Sequence, residues 1–194
     1  MVMTTGILAL QGSFNDHRKS LDLIGRDYVL IKETNDLKNI DSLILPGGES
    51  TSMIKIQKDE ELFISIKKLI KSGIPTLGTC AGLILLSKDV IDGNISLGLL
   101  DCIIERNAYG RQIQSFEGLV KFNNSTQMYC FIRAPKIIST GSNTKHIAFL
   151  DEEIVGIKEN NIVGLTFHPE LTNDENYLNW LDVFILKGNN VRSF

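Results

Sequence analysis

A chain of 194 residues, 43% hydrophobic and 22% charged, has the material for one ordered domain, 1–194, with a sizeable core. Its net charge of −3 offers no basic footprint for nucleic acid. No apolar run approaches the roughly 20 residues of a membrane helix, and Met1 to Gly6 lack the basic start of a signal peptide. Cys80, Cys102 and Cys130 form an odd set without C-x-x-C spacing. That points to reduced thiols in a cytoplasmic protein, and away from a disulfide framework or a zinc site.

Ile7 to Leu10 is a continuous apolar run, the pattern of a strand covered on both faces. Gln11-Gly12-Ser13 breaks it, and Phe14, His17, Leu21 and Ile24 recur at helical spacing until Gly25. A second strand spans Tyr28 to Ile31, a short helical turn Leu37 to Ile40, and a third strand Ser42 to Leu45. This strand–helix–strand rhythm predicts a parallel sheet with helices on both sides and ligands beyond the carboxyl ends of its strands.

Two loops fall at those ends. Pro46-Gly47-Gly48-Glu49-Ser50-Thr51-Ser52 reads as a glycine turn followed by a hydroxyl cap for a helix starting near Ser52. Paired glycines also let backbone N–H groups approach a ligand or an oxyanion, and no Gly-Lys-Ser/Thr follows to make it a phosphate loop. A helical stripe of Leu62, Phe63, Ile66, Leu69 and Ile70 comes next, with Lys67, Lys68 and Lys71 on a solvated face. The second loop follows the strand opened by Pro75. Gly78-Thr79-Cys80-Ala81-Gly82 places one cysteine in a small-residue bend before a helix over Ala81 to Lys88. Such an elbow stands a nucleophile above a sheet, with the positive end of a helix toward its sulfur. The alternative is a small buried hydrophobe; the flanking glycines favour the elbow, because packing alone does not demand them.

Beyond Lys88 the rhythm changes. Leu97–Glu105, Phe116–Phe122, Met128–Ile132, Ile137-Ile138, His146–Leu150, Ile154–Lys158 and Ile162–Phe167 are strand-like runs without intervening helices, with a hairpin tip at Glu159-Asn160-Asn161. They predict antiparallel strands added to the sheet and a small additional sheet. Thr166-Phe167-His168-Pro169-Glu170 then sets His168 and Glu170 two apart in an extended segment, where they share a face. A carboxylate there fixes the imidazole and supports its charged form. Thr172 to Glu175 has capping-box spacing ahead of a closing helix with Tyr177, Leu178, Leu181, Phe184 and Ile185 inward. His17 and His146 are expected as structural or surface residues, and Cys102 and Cys130 as core.

The elbow and the His168-Pro169-Glu170 segment resemble the triad layout of class I glutamine amidotransferases. Seven stretches, in order, are similar to the glutaminase subunits of pyridoxal 5′-phosphate synthases: Leu10-Gln11-Gly12, Leu45 to Thr51, Gly78 to Leu83, Glu105-Arg106-Asn107, Ser115-Phe116-Glu117, Phe131 to Pro135 and Phe167 to Leu171. The resemblance implies an α/β fold, flavodoxin-like with three layers α/β/α. Its sheet is mixed and mostly parallel, with added antiparallel strands in the second half. It implies hydrolysis of L-glutamine to L-glutamate and ammonia without a cofactor or metal. The ammonia passes to a (β/α)8-barrel synthase subunit, in a complex of twelve copies of each.

By position, Cys80 is the nucleophile and His168 and Glu170 complete the triad. Gly47, Gly48, Glu49, Arg106, Ile132 and Arg133 line the glutamine site, and Gln11 lies on the docking face. Backbone N–H groups of Gly48 and Ala81 are the expected oxyanion donors, completed when docking reorients Gly47-Gly48. Arg106 or Arg133 suits the α-carboxylate of glutamine, and Glu49 its ammonium. The segment Gly118 to Asn124 carries no alignable feature. A histidine-biosynthesis glutaminase is disfavoured by the Phe131–Pro135 and Glu105–Asn107 stretches. A cysteine peptidase or redox protein of the wider superfamily would need neither Glu170 nor the Pro46–Thr51 loop, and an inactive scaffold subunit would not need an intact Cys–His–Glu set.

Overall fold

The computed structural model describes residues 3–10, 12–48, 59–91, 96–106, 108–109, 115–172 and 174–187. The predicted helix near Ser52 and the site candidates Gln11 and Glu49 lie outside the described residues.

The first half alternates as its sequence pattern requires. Strand β1 (Thr4–Leu8), helix α1 (Phe14–Leu23), β2 (Asp27–Ile31) and β3 (Ser42–Leu45) are followed by α2 (Glu60–Lys71), β4 (Thr76–Thr79) and α3 (Ala81–Leu86). The short turn between β2 and β3 is a 3-10 turn at Thr34–Leu37, three residues earlier than the apolar pattern suggests. Asp36 and Glu33 cap it reciprocally, and that polar capping outweighs the apolar spacing of Leu37 and Ile40. Helix α3 also stops short of the expected Lys88: the chain leaves it at Leu86 and forms β5 (Ser87–Val90), a strand that the sequence pattern does not reveal.

The second half is strand after strand, as expected: β6 (Leu100–Glu105), β7 (Ser115–Phe122), β8 (Ser125–Ile132), β9 (Lys136–Thr140), β10 (Lys145–Leu150), β11 (Glu153–Glu159) and β12 (Ile162–Leu165). A two-residue turn at Asn160-Asn161 joins β11 to β12, with Asn160 at φ 52°. After a 3-10 turn at Pro169–Leu171, helix α4 (Glu175–Leu186) closes the described chain. Its cap is the Asp174 carboxylate, which accepts the Tyr177 N–H at 2.9 Å; Thr172 bonds the Pro169 carbonyl and Asp174, so the capping-box reading is off by two residues.

The main sheet has nine strands in the order β2-β1-β3-β4-β12-β11-β10-β7-β8. Pairings among the first five are all parallel, the 2-1-3-4-5 order of flavodoxin-like sheets. Those beyond β12 are antiparallel. A smaller sheet runs β5-β6-β9. The antiparallel half curls so far that its edge strand β8 meets the residues following β12: His168 N–H donates to the Cys130 carbonyl at 2.9 Å. That contact carries the His168 segment to the site.

Two apolar cores flank the sheet. Leu62, Ile66 and Ile70 of α2 and Leu83 to Leu86 of α3 pack with Leu43, Leu45 and Ile157 on one side. Leu21 of α1 and Tyr177, Leu181, Phe184 and Ile185 of α4 pack with Ile7, Ile44, Leu77 and Val163 on the other. Neighbouring residues of β1 and β3 thus feed opposite cores, which is why these strands read as continuous apolar runs.

Along α4 the two faces predict contrasting costs. Leu181 is 1% exposed and Val183 59%. Leu181→Ala is expected to lower unfolding free energy by about 2–5 kcal/mol, and Val183→Ala by less than about 0.5, in urea titrations. Equal costs would contradict this helix orientation.

Candidate active site

The carboxyl ends of β1, β3 and β4 and the segment after β12 converge on one place. At its centre Cys80 joins β4 to α3 with φ 49° and ψ −103°, a conformation rarely adopted by a residue with a side chain. Holding it there costs of order 1–3 kcal/mol, which the surroundings offset. Cys80 N–H donates to the Leu165 carbonyl of β12 at 2.8 Å, and the Cys80 carbonyl accepts the Ile84 N–H at 3.2 Å. Both flanking glycines prove necessary for packing, contrary to the expectation from sequence. A β-carbon on Gly82 would collide with the Leu45 carbonyl of β3, and one on Gly78 would press on Gly82 at 2.6 Å. Helix α3 fits against β3 only because residue 82 is glycine, and against its own strand β4 only because residue 78 is.

His168 lies next to the sulfur and its Nδ1 is 2.8 Å from Glu170 Oε1. The two residues do share a face, as their spacing predicts, and both are buried. Burial works against a charged His168, but the Glu170 charge, hydrogen bonds with Cys80 and Glu170, and the Cys80 charge together hold its pKa well above the ordinary value. Burial likewise opposes an ionised Glu170; in the acid range where it titrates, the charged rings of His17 and His168 and the bond from His168 outweigh burial and hold the carboxyl at about 2. The acid is therefore a carboxylate at neutral pH.

Gly47 seals one wall. A β-carbon there would strike the His168 ring and come within 3.3 Å of the Cys80 β-carbon. Its N–H donates to Thr79 Oγ1 at 3.2 Å, and its carbonyl accepts the Ser13 N–H at 3.1 Å. The opposite wall is the end of β8, where the Ile132 carbonyl accepts the Cys80 thiol at 3.6 Å. Arg133 follows at φ 45°. The β6–β9 register ends with Glu105 opposite Lys136, which brings Arg106 to the segment that carries Arg133. Of the predicted site residues, Cys80, Ala81, His168, Glu170, Gly47 and Ile132 are thus assembled around one sulfur. Gly48, Arg106 and Arg133 stand on the segments that border it.

His17 is more than the structural or surface residue expected. It is fully buried, with Nε2 3.1 Å from Thr79 Oγ1 and 3.4 Å from Glu170 Oε1. Ser13 does not cap α1; its hydroxyl donates to Glu170 Oε1 at 3.1 Å. The available signal is a histidine inside the inward stripe Phe14, His17, Leu21 and Ile24. His146 is exposed, bonded to Thr140 at 2.9 Å. Cys102 is core, its thiol pushed up to about 12 by burial. Cys130 is not core: it is half-buried on the sheet edge, its thiol 3.7 Å from Glu117 Oε1.

A cysteine on a strained strand–helix bend, with an imidazole and a buried carboxylate in line behind it, is an arrangement for nucleophilic acyl transfer. The SNO glutamine amidotransferase family matches residues 7–187, and the chain belongs to that family. A pyridoxal 5′-phosphate synthase subunit PdxT from Methanocorpusculum labreanum is 47% identical over 174 residues, 89% of this chain and 92% of the relative. One of the same description from Thermosipho africanus is 42% identical over 175 residues, 89% and 93% of the two chains. A crystal structure described as a glutamine amidotransferase superposes with a TM-score of 0.86 at 32% identity, over 93% of this chain and 98% of the other. Another, described as a glutamine amidotransferase from Thermotoga maritima, shares the fold, with a TM-score of 0.60 at 17% identity over 97% and 85% of the chains.

The charge pair has a signature in stability. Glu170, depressed in the folded state, stabilises above the unfolded carboxyl pKa of about 4.3 and loses that contribution as pH falls toward 2. His168, raised, stabilises below about 6.5 and loses its contribution as pH rises through its folded value. The stability gap between wild type and Glu170→Gln in urea titrations should therefore be widest between about pH 4.5 and 6.5 and shrink on both sides. A gap independent of pH would contradict the assigned charges.

Proposed function

We infer that this chain is the glutaminase subunit of a pyridoxal 5′-phosphate synthase. It hydrolyses L-glutamine to L-glutamate and ammonia and delivers the ammonia to a (β/α)8-barrel synthase subunit. The observation that carries the chemistry is the buried line from Cys80 through His168 to Glu170 Oε1, 2.8 Å from the imidazole. The family's description as glutamine amidotransferases supports the substrate, and the description of relatives 42% and 47% identical over nearly nine-tenths of the chain as a pyridoxal 5′-phosphate synthase subunit supports a synthase partner.

The Cys80 thiol passes its proton to His168, the sulfur adds to the side-chain carbonyl carbon of glutamine, and the carbonyl oxygen becomes an oxyanion held by the N–H groups of Ala81 and Gly48. His168, its charged form supported by Glu170, gives a proton to the departing nitrogen as the C–N bond breaks, leaving a Cys80 thioester and ammonia. His168 then takes a proton from water, the hydroxide attacks the thioester, and glutamate leaves with the thiol restored. Arg106 or Arg133 holds the α-carboxylate by paired hydrogen bonds, Ile132 lines the site and Glu49 receives the α-ammonium.

The Gly47-Gly48 peptide is the switch. Its carbonyl accepts the Ser13 N–H, so turning it to aim Gly48 N–H at the oxyanion breaks one hydrogen bond, worth about 1 kcal/mol. An oxyanion donor is worth about 3–4 kcal/mol of barrier. A partner docking on Gln11, beside Ser13, can therefore exchange a small cost for a large gain. The chain acts as one domain, 1–194, in the cytoplasm, within a complex of twelve copies of each subunit.

Glutamate release should be weak from the chain alone and rise on titration with the barrel subunit. Cys80→Ala should lower the stimulated rate by about a thousandfold or more with the fold retained. A folded wild-type chain silent in both conditions, or an active Cys80→Ala variant, would overturn the reading.

A further inference from the structure

The histidine buried beneath the triad, His17 on α1, has no part in the steps above. Its Nε2 stands between two acceptors, Thr79 Oγ1 at 3.1 Å and Glu170 Oε1 at 3.4 Å. Its Nδ1 is buried without a hydrogen-bond partner among the described residues. The hydroxyls of Tyr129 and Tyr177 are buried in the same way, so what sets His17 apart is the pair of groups at its Nε2, one of them the triad carboxylate.

We propose that His17 is a positioning residue of the glutaminase reaction, a neutral Nε2–H imidazole that ties the triad carboxylate Glu170 to the Thr79–Gly47 side of the oxyanion loop. The proposal rests on the reading of Cys80, His168 and Glu170 as a triad.

The tautomer follows from the neighbours. Glu170 is a carboxylate and offers only lone pairs to Nε2, so a bare Nε2 would face it lone pair to lone pair. With the proton on Nε2, the N–H donates to Thr79 Oγ1, and its positive end lies 3.4 Å from Oε1. Burial, the largest influence on His17, lowers its pKa and keeps it neutral at pH 7. Glu170 Oε1 then has two hydrogen-bond donors, His168 Nδ1–H and Ser13 Oγ–H, and the polarised Nε2–H of His17 beside it at 3.4 Å. Together they fix one oxygen of the carboxylate and so the plane of the His168 ring. Thr79 relays the same anchor onward, because its hydroxyl oxygen accepts the Gly47 N–H at 3.2 Å. One short path, Glu170–His17–Thr79–Gly47, thus links the acid behind the base to the loop that finishes the oxyanion hole. No atom of His17 touches the reacting sulfur in this path; it acts through Glu170 and Thr79.

Glutamine and asparagine separate this role from packing. The glutamine amide nitrogen reaches the place of Nε2, whereas asparagine reaches only that of Nδ1. With the barrel subunit present, His17→Asn should lower kcat by roughly a hundredfold, the effect of misplacing a catalytic group by about 1 Å, with KM changed by less than about twofold. His17→Gln should recover most of that loss. Wild-type kcat in both variants, or equal losses that track a fall in Tm, would overturn the proposal. So that it stands even if neither variant folds, the ring is read directly in the wild-type chain. With only three histidines, 15N-labelled imidazoles at pH 7 should show His17 neutral with its proton on Nε2. A proton on Nδ1, or a charged ring, would overturn it. A wild-type chain inactive with its partner would instead count against the triad reading, which the ring measurement does not depend on.

Discussion

Everything in the site depends on one backbone bend. At Cys80 the chain turns from β4 into α3 with φ 49° and ψ −103°, a conformation that an L-residue adopts only under constraint. The constraint comes from both sides: β12 accepts the Cys80 N–H, and β3 leaves room for Gly82 and no larger residue. The central strands β3, β4 and β12 are wholly buried, so the energy that offsets the strain is that of the core itself. A nucleophile mounted this way cannot relax without disturbing the middle of the sheet.

The other parts reach the sulfur by longer routes. His168 and Glu170 follow β12 directly, but the imidazole is held where it is by the curl that brings β8 round to pair Cys130 with His168. Stacked Phe116 and Phe131, at 4.6 Å, and Phe131 against Phe167, at 5.8 Å, fill the inside of that curl. The same strand ends in the Ile132 carbonyl that meets the thiol. From the far side, the start of α1 contributes Ser13 to both Gly47 and Glu170, giving up its usual role as a helix cap, a sacrifice of about 1 kcal/mol. Stability is spent at this end of the sheet on holding polar groups in place.

How much of this can be read from residues alone follows a physical division. Local patterns are legible: the continuous apolar runs of the parallel strands, the helical stripe of α2, the Asn160-Asn161 hairpin, the glycine-flanked Cys80 and the shared face of His168 and Glu170. Each of these is decided within a few residues. The helix-free strand runs after Lys88 give the mixed sheet, and the ordered set of motifs adds the family. What escapes is decided by distant partners. Strand β5 takes over the end of the expected helix because β6 is available to pair with it. Cys130 sits on an edge, a fact about strand order. His17 shares its helical stripe with Leu21, and nothing nearby in sequence reveals that Thr79 and Glu170 lie opposite. The purpose of Gly82 escapes, because the strand it abuts, β3, is more than thirty residues away.

The central claim is that the bend presents one sulfur, that of Cys80, to a glutamine-shaped site. The most direct measurement is peptide mapping by mass spectrometry after exposure of the chain, with its barrel partner, to the diazoketone analogue of L-glutamine. The account predicts one adduct, on Cys80, suppressed by excess L-glutamine, with Cys102 and Cys130 unmodified. Labelling of Cys130 or Cys102 in its place, or a folded complex untouched at Cys80, would contradict it.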